Sequence, residues 1–171
     1  RLAAGLHDLV ALGVTTNQVF LRRCLEHPVF AAGGATTAFI GSHGAELLAV
    51  DAAAVERATA VAAAMLPETD ALAQRGSARS LSHGLPVGLR FTLDGQAVQA
   101  SVTDLGHHRH RVRIGEREHE VELMQFEGHH ARVRCDGVME GVAWVRDGQR
   151  LLMHLDGVPH AVVDTTRAAS R

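Results

Sequence analysis

The sequence predicts a mainly β protein with some α: an eight-stranded antiparallel up-and-down β-barrel that wraps an alanine-rich helix, preceded by a short helical segment. Three observations predict it. From Val87 onward, apolar residues recur at every second position in short runs. Glycine-bearing turns separate those runs. Just upstream, residues 52–66 read AAAVERATAVAAAML, apolar nearly all round, with only Glu56, Arg57 and Thr59 polar.

The period-two runs place strands at 87–93, 97–104, 109–114, 117–126, 130–135, 138–146, 149–155 and 158–164. The turn signals between them are Asp94-Gly95, Gly106, Gly115, Gly128, Asp136-Gly137, Asp147-Gly148 and Asp156-Gly157. Asp-Gly supplies the positive φ angles that tight hairpins need. Alternation puts Val112 and Ile114 inward and Arg111 and Arg113 outward. In the next run Val121, Leu123 and Gln125 share one face, opposite Glu122, Met124 and Phe126. Short strands joined by tight turns form a meander, which closes most economically as a barrel. Eight strands leave a lumen that side chains just fill, or that holds one object.

The helix is that object. Asp51 is its N-cap, and it covers about 51–66. Pro67 and Asp70 weaken its end, with a turn or two over 68–75 continuing toward Gly76. A helix apolar on every side must be covered on most sides, and small side chains keep it slim. The competing arrangement packs it on the barrel's outer face. Residues 76–86, GSARSLSHGLP, read as a long exposed loop.

Ahead of this lie a helix within 2–12, with Leu2, Leu6, Leu9 and Val10 on one face, and a second over 17–27 with Val19, Phe20 and Cys24 inward. Gly13 ends the first and Pro28 stops the second. Residues 31–37 form a Gly-rich loop, Phe39-Ile40 is a hydrophobic plug, and 44–50 form a connector or helix start. This segment is too small to bury its own apolar face. With Arg1 inside a helical pattern, the chain reads as a piece of something longer.

Composition excludes several functions. Net charge is −2 in 171 residues, so no field steers the chain to nucleic acid or membrane. Aromatics are 4%, too few for a base-stacking surface. No apolar run is long enough for a membrane-spanning helix. All 17 basic residues are arginine, which excludes Schiff-base chemistry, a phosphate-loop lysine and a lysine-borne prosthetic group. Cys24 and Cys135 fall in different regions and read as buried free thiols in a reducing compartment.

No catalytic, cofactor-binding or metal site stands out. Of the 12 histidines, His107, His108 and His110 cluster at one turn and His129-His130 at another. Neighbours on a strand end point to opposite faces, so these read as solvated turn histidines rather than ligands. Ser77, Ser80 and Ser82 near His83 lack an elbow or oxyanion donors and read as a polar loop. Arg109, Arg111 and Arg113 face Glu116, Glu118, Glu120 and Glu122 across Gly115 as ladders of exposed ion pairs. These set register more than function.

Residues 12–43, LGVTTNQVFLRRCLEHPVFAAGGATTAFIGSH, carry a longer pattern: a GVTTN turn at Gly13–Asn17, a helix from Phe20 to His27-Pro28-x-Phe30, a loop at Gly33–Thr37, and Phe39-Ile40-x-x-His43. The stretch strongly resembles the end of the biotin carboxylase region in α-subunits of biotin-dependent acyl-CoA carboxylases of the methylcrotonyl-, geranyl- and propionyl-CoA type. It departs at Thr37-Ala38, where the family usually has Asp-Thr-x-Phe. The resemblance implies that residues 1–43 are the helical tail of a biotin carboxylase domain. Residues 44–171 then form the BT domain, a long helix with an eight-stranded antiparallel barrel. It further implies a non-catalytic role: linking the biotin carboxylase and biotinyl domains of the α-subunit to the carboxyltransferase β-subunit. The hook-like loop between helix and barrel, 76–86, then makes Arg79, Leu81, His83, Leu85 and Pro86 the interface candidates. Biotin and ATP/Mg with bicarbonate belong to the parent enzyme; this chain has no ATP-grasp motif and no Ala-Met-Lys-Met site. The resemblance implies a cytoplasmic, bacterial-type protein and leans to the methylcrotonyl/geranyl branch. The other reading from the residues is a free-standing barrel carrying a small apolar ligand. What fills the lumen separates the two.

Overall fold

The computed structural model describes residues 1–73 and 84–166. Among these, five helices precede eight strands: α1 Leu2–Asp8, α2 Gln18–Glu26, α3 Pro28–Ala31, α4 Phe39–Leu47, α5 Ala52–Ala73, β1 Pro86–Leu93, β2 Gln96–Gly106, β3 Arg109–Ile114, β4 Arg117–Glu127, β5 His130–Cys135, β6 Val138–Asp147, β7 Arg150–Leu155 and β8 Val158–Asp164. The strands close into one antiparallel barrel in sequence order. Closure is by β1 on β8, pairing Phe91 with Asp164, Thr92 with Val163 and Leu93 with Val162. The expected fold class is the observed one.

Turn chemistry sets the hairpins. Asp94-Gly95, Asp136-Gly137 and Asp156-Gly157 have positive φ at both central residues, the type I′ geometry that matches strand twist. His107 and His108 also take positive φ, at 55° and 57°, so the β2–β3 turn is made by two histidines rather than by Gly106. Asp147 differs from the expected turn: it is the last residue of β6, paired with Arg150, and the turn is Gly148-Gln149. The Arg/Glu ladder holds, with Arg109, Arg111 and Arg113 opposite Glu122, Glu120 and Glu118. A register shift between Leu123 and Gln125 corrects the alternation in β4. Past it Gln125 is exposed, while Phe126 packs toward the core and stacks on Trp144 with ring centroids 4.9 Å apart.

Helix α5 lies within the barrel. Ala58 through Leu66 are 0–1% exposed except Thr59, at 5%. Nine consecutive buried residues make about two and a half turns, so every face is covered. The strands supply Val112, Val121, Val133, Met153 and Val162, all fully buried, to the same core. A side chain such as Met65 or Leu66 gains roughly 1.5–3 kcal/mol by such burial. The Asp51 side chain accepts the N–H groups of Ala53 and Ala54 at 2.9 and 3.2 Å, the expected N-cap. The helix does not end at Leu66. It runs through Pro67 to Ala73. The Thr69 hydroxyl donates to the Met65 and Leu66 carbonyls, and ion pairs from Glu68 and Asp70 to the barrel hold the turns that proline weakens.

The helical segment is packed more thinly. Its small core is Cys24, Phe39 and Leu47 with Phe20 against it. Helix α1 stops at Asp8, short of the expected end, and leaves Leu2, Leu9 and Val10 exposed. In α2 the buried residues are Gln18 and Cys24, with Val19 and Phe20 half-buried. Pro28 opens α3, whose first turn is capped by the His27 side chain accepting from Val29 N–H. Of the Phe39-Ile40 plug, only Phe39 is buried.

Candidate functional site

The lumen is filled, so function has to reside at the barrel's ends, on its outer face, or in the segment docked against it. At one end α5 enters. Glu56 pairs there with Arg117 and with His119, whose Nε2 lies 3.1 Å away, and Arg57 donates to Glu140 at 2.5 Å. At the other end α5 leaves. The Glu68 carboxylate sits between His110 Nε2, at 2.9 Å, and His108 Nδ1, at 3.2 Å. Arg146 binds Asp70 at 2.8 Å and approaches Asp164 at 3.8 Å. The hydrogen bond from His110 is the main cause holding the Glu68 carboxyl below its ordinary value, against burial and with help from the His108 charge. His110 is therefore not a solvated turn histidine; it is 3% exposed and clasps the helix. His107, His108, His129 and His130 are exposed as expected.

The entry end carries a repeated latch. Asp94 N–H donates to the Ala161 carbonyl, Ala161 N–H donates back to Asp94 Oδ1, and Asp94 Oδ2 lies 2.7 Å from His160 Nδ1. Asp136 does the same with Glu120 and with His119 Nδ1, also at 2.7 Å. Burial works to raise both carboxyls, but the histidine and backbone N–H hydrogen bonds outweigh it and both are lowered. At the exit end the carbonyls of His108, His129 and Gln149 accept N–H groups of Leu123, Trp144 and Asp164 in the adjoining strands. Each stitch ties a hairpin tip to a third strand.

Of the interface candidates, Arg79, Leu81 and His83 lie outside the described residues. Leu85 is 65% exposed, and Pro86 opens β1 opposite Thr103, close to the exit end. Leu72 and Val87 are also exposed there, and sequence reasoning missed both. Their signal is an apolar residue beyond the last ion pair of α5 and at the start of the first strand. It also missed the ion pairs of Glu56, Arg57, Glu68 and Asp70. The available signal was that polar residues on an otherwise apolar helix cluster near its ends.

The segment docks on the outer face through polar side chains. The buried Gln18 amide donates to the Leu6 and Leu9 carbonyls at 2.5 and 2.7 Å and faces His154 Nε2 at 3.4 Å. Arg22 reaches the Asp156 carbonyl at 3.3 Å. Burial first, then the nearby His7, His160 and Arg22, hold His154 below its ordinary value of 6.5. A cleft of about 570 Å³ lies here, between His7, His130, Arg132, Glu140, His154 and Asp156. Both thiols are free and buried. Burial pushes the Cys135 thiol up to about 12, which makes it unreactive as a nucleophile. Two groups among the described residues have metal-ligand spacing: His27, His43 and Glu46, and His119, Cys135 and Asp136. No family model matches the chain, and no curated protein matches it either.

Proposed function

We propose that the chain is the non-catalytic interaction module of a biotin-dependent acyl-CoA carboxylase α-subunit. In this reading residues 1–43 end the biotin carboxylase domain, and the barrel with its helix is the BT domain that joins the α-subunit to the carboxyltransferase β-subunit. The observation that carries it is α5 running inside the closed barrel. A long helix associated with eight antiparallel strands is what the resemblance of residues 12–43 calls for. The same helix takes the space in which a carrier would hold an apolar ligand, so the second reading loses its cavity. The helical segment supports the proposal too. Leu2, Leu9, Val14 and Ile40 are all more than half exposed, as expected of a tail that packs on the rest of a larger domain.

ATP, Mg, bicarbonate and biotin act elsewhere in the parent α-subunit, and acceptor choice belongs to the β-subunit. The lysine-free chain cannot carry biotin itself. Location follows the parent, in the cytoplasm. The test mixes the full chain with the carboxyltransferase β-subunit of the same organism and follows assembly by size-exclusion chromatography. Wild type co-elutes. Leu81→Asp and Leu85→Asp reduce co-elution while circular dichroism and Trp144 fluorescence stay those of the folded barrel. Unchanged assembly in both variants overturns the placement of the contact at 76–86. A wild-type chain that never co-elutes overturns the adaptor reading.

A further inference from the structure

The two Asp-Gly latches at the entry end are alike in backbone geometry and unlike in what surrounds them. In each, the aspartate opening a type I′ turn uses Oδ1 for a backbone N–H and Oδ2 for a histidine Nδ1. In each, the histidine is the third residue of its strand, His119 in β4 and His160 in β8. Before Asp94 stands Leu93. Before Asp136 stands Cys135. Only the second latch therefore brings a thiol beside the histidine and carboxylate, with one ligand atom from each of His119, Cys135 and Asp136 within 4.8 Å of the other two.

From this geometry we infer that His119, Cys135 and Asp136 form a binding site for a divalent transition-metal ion, zinc being the best fit. Thiolate, imidazole and carboxylate are the donor set zinc takes, and mutual spacing of this order suits a tetrahedral ion. The free ends of the ligands are already fixed. Asp136 Oδ1 is held by the Glu120 N–H at 2.9 Å, and Asp136 Oδ2 and His119 Nδ1, 2.7 Å apart, are the atoms the metal would take in place of their mutual hydrogen bond. His119 Nε2 faces Glu56 Oε1 at 3.1 Å, so its N–H has a carboxylate acceptor when Nδ1 coordinates. A carboxylate on the distal nitrogen of a ligating histidine fixes the ring and raises its basicity. Glu56 comes from α5, so the ion would tie the helix to its sleeve through this contact. Asp136 is exposed and gives the ion a path from solvent. Binding displaces the proton from the Cys135 sulfur to solvent, the ion's charge offsetting the burial that otherwise keeps the thiol protonated, and takes His119 in the tautomer with its proton on Nε2. The remaining position is open to water.

The second cluster is a poorer site. His27 Nδ1 accepts the Val29 N–H, so Nε2 carries the ring proton and donates toward Glu46 rather than offering a lone pair. It also lacks sulfur.

The test uses the full chain, stripped with a chelator and titrated with Co²⁺ and then with Zn²⁺ against a competing chromophoric chelator. The expected result is one ion per chain with a thiolate-to-cobalt charge-transfer band. Cys135→Ser abolishes that band and Cys24→Ser keeps it. Asp136→Asn and Glu56→Gln each weaken zinc binding about 10–100-fold, the range of ligand-orienting losses. Binding without a thiolate band, a band that survives Cys135→Ser, or no binding by wild type each overturns the inference. Because Cys135→Ser could loosen the core, Leu93→Cys serves as a second variant: it should create a second thiolate–cobalt site at the Asp94 latch. Its failure to do so in a folded chain also counts against the geometry.

Discussion

Helices α1 and α5 are both built largely from alanine and leucine-like residues, yet one has no buried residue and the other has a stretch with no exposed one. The difference lies in what surrounds them. Helix α5 is enclosed by strands that close on themselves and leave no edge for another chain to extend. Helix α1 is held to α2 by the Gln18 amide on the Leu6 carbonyl and by Arg22 beside His7, and it meets the barrel through the His7–Asp156 ion pair; Leu2 is exposed and Leu6 only half-buried. The barrel is a finished core, while the segment is a surface awaiting a counterpart. The same composition gives opposite outcomes according to whether the chain itself supplies the cover.

Substitutions can break or sharpen that contrast. The largest effect is expected for Met65→Asp. It places an unpaired charge in a filled lumen and should cost more than about 4 kcal/mol, read as loss of the Trp144 unfolding transition in urea. Ile40→Asp, on the exposed face, should stay within about 0.5 kcal/mol. Next, Leu66→Ala should cost about 2–5 kcal/mol because the closed sleeve cannot collapse onto the hole. Leu9→Ala, measured by the same urea titration, should barely move the midpoint. Equal losses at Leu66 and Leu9 would end the distinction. Ala63→Leu tests the opposite error. Overpacking the lumen should cost about 1–3 kcal/mol, whereas a helix on an open face would accept the larger side chain.

Acid gives the smallest and most selective separation. Glu68 and Asp94 are held below their ordinary values of 4.5 and 3.8, so the stability they contribute is complete above those values. It is lost as pH falls through the depressed values of the folded protein. His154 is held below 6.5, so docking against a neutral imidazole weakens as pH falls below 6.5 and the released state takes up the proton. Hydrogen exchange corrected for intrinsic rates should then show residues 2–47 losing protection first. Trp144 fluorescence should hold until the carboxyl range. Simultaneous loss in both regions would contradict independent packing.

Much of the barrel was legible because its signals are local. Asp-Gly turns and period-two alternation specify each hairpin without reference to the rest of the chain. Where two signals competed, the sequence misled. At Asp147-Gly148 a glycine alone suffices for the turn and the aspartate joins the strand. At Gln125 and Phe126 a register shift, invisible to simple alternation, exchanges inside for outside. Pro67 argued for a helix end, but Thr69 donates back to carbonyls of its own helix, and Glu68 and Asp70 find partners that only the assembled barrel provides. The cysteine beside His119 was illegible for the same reason: neighbours on β4 and at the β5–β6 turn meet only through register. In the interface loop the candidates rested on resemblance, and only Leu85 and Pro86 can be placed.

The enclosure of α5 also bears on the order in which the molecule is built. A ring of strands joined by β1–β8 pairing has no lateral gap beside the helix it encloses. Helix α5 precedes every strand in the chain, so it is synthesised before any of the strands that enclose it. Strand β8, whose pairing with β1 shuts the ring, is the last in the chain. The chain thus carries its core ahead of its wall, and the strand that closes the seam is the last to be made.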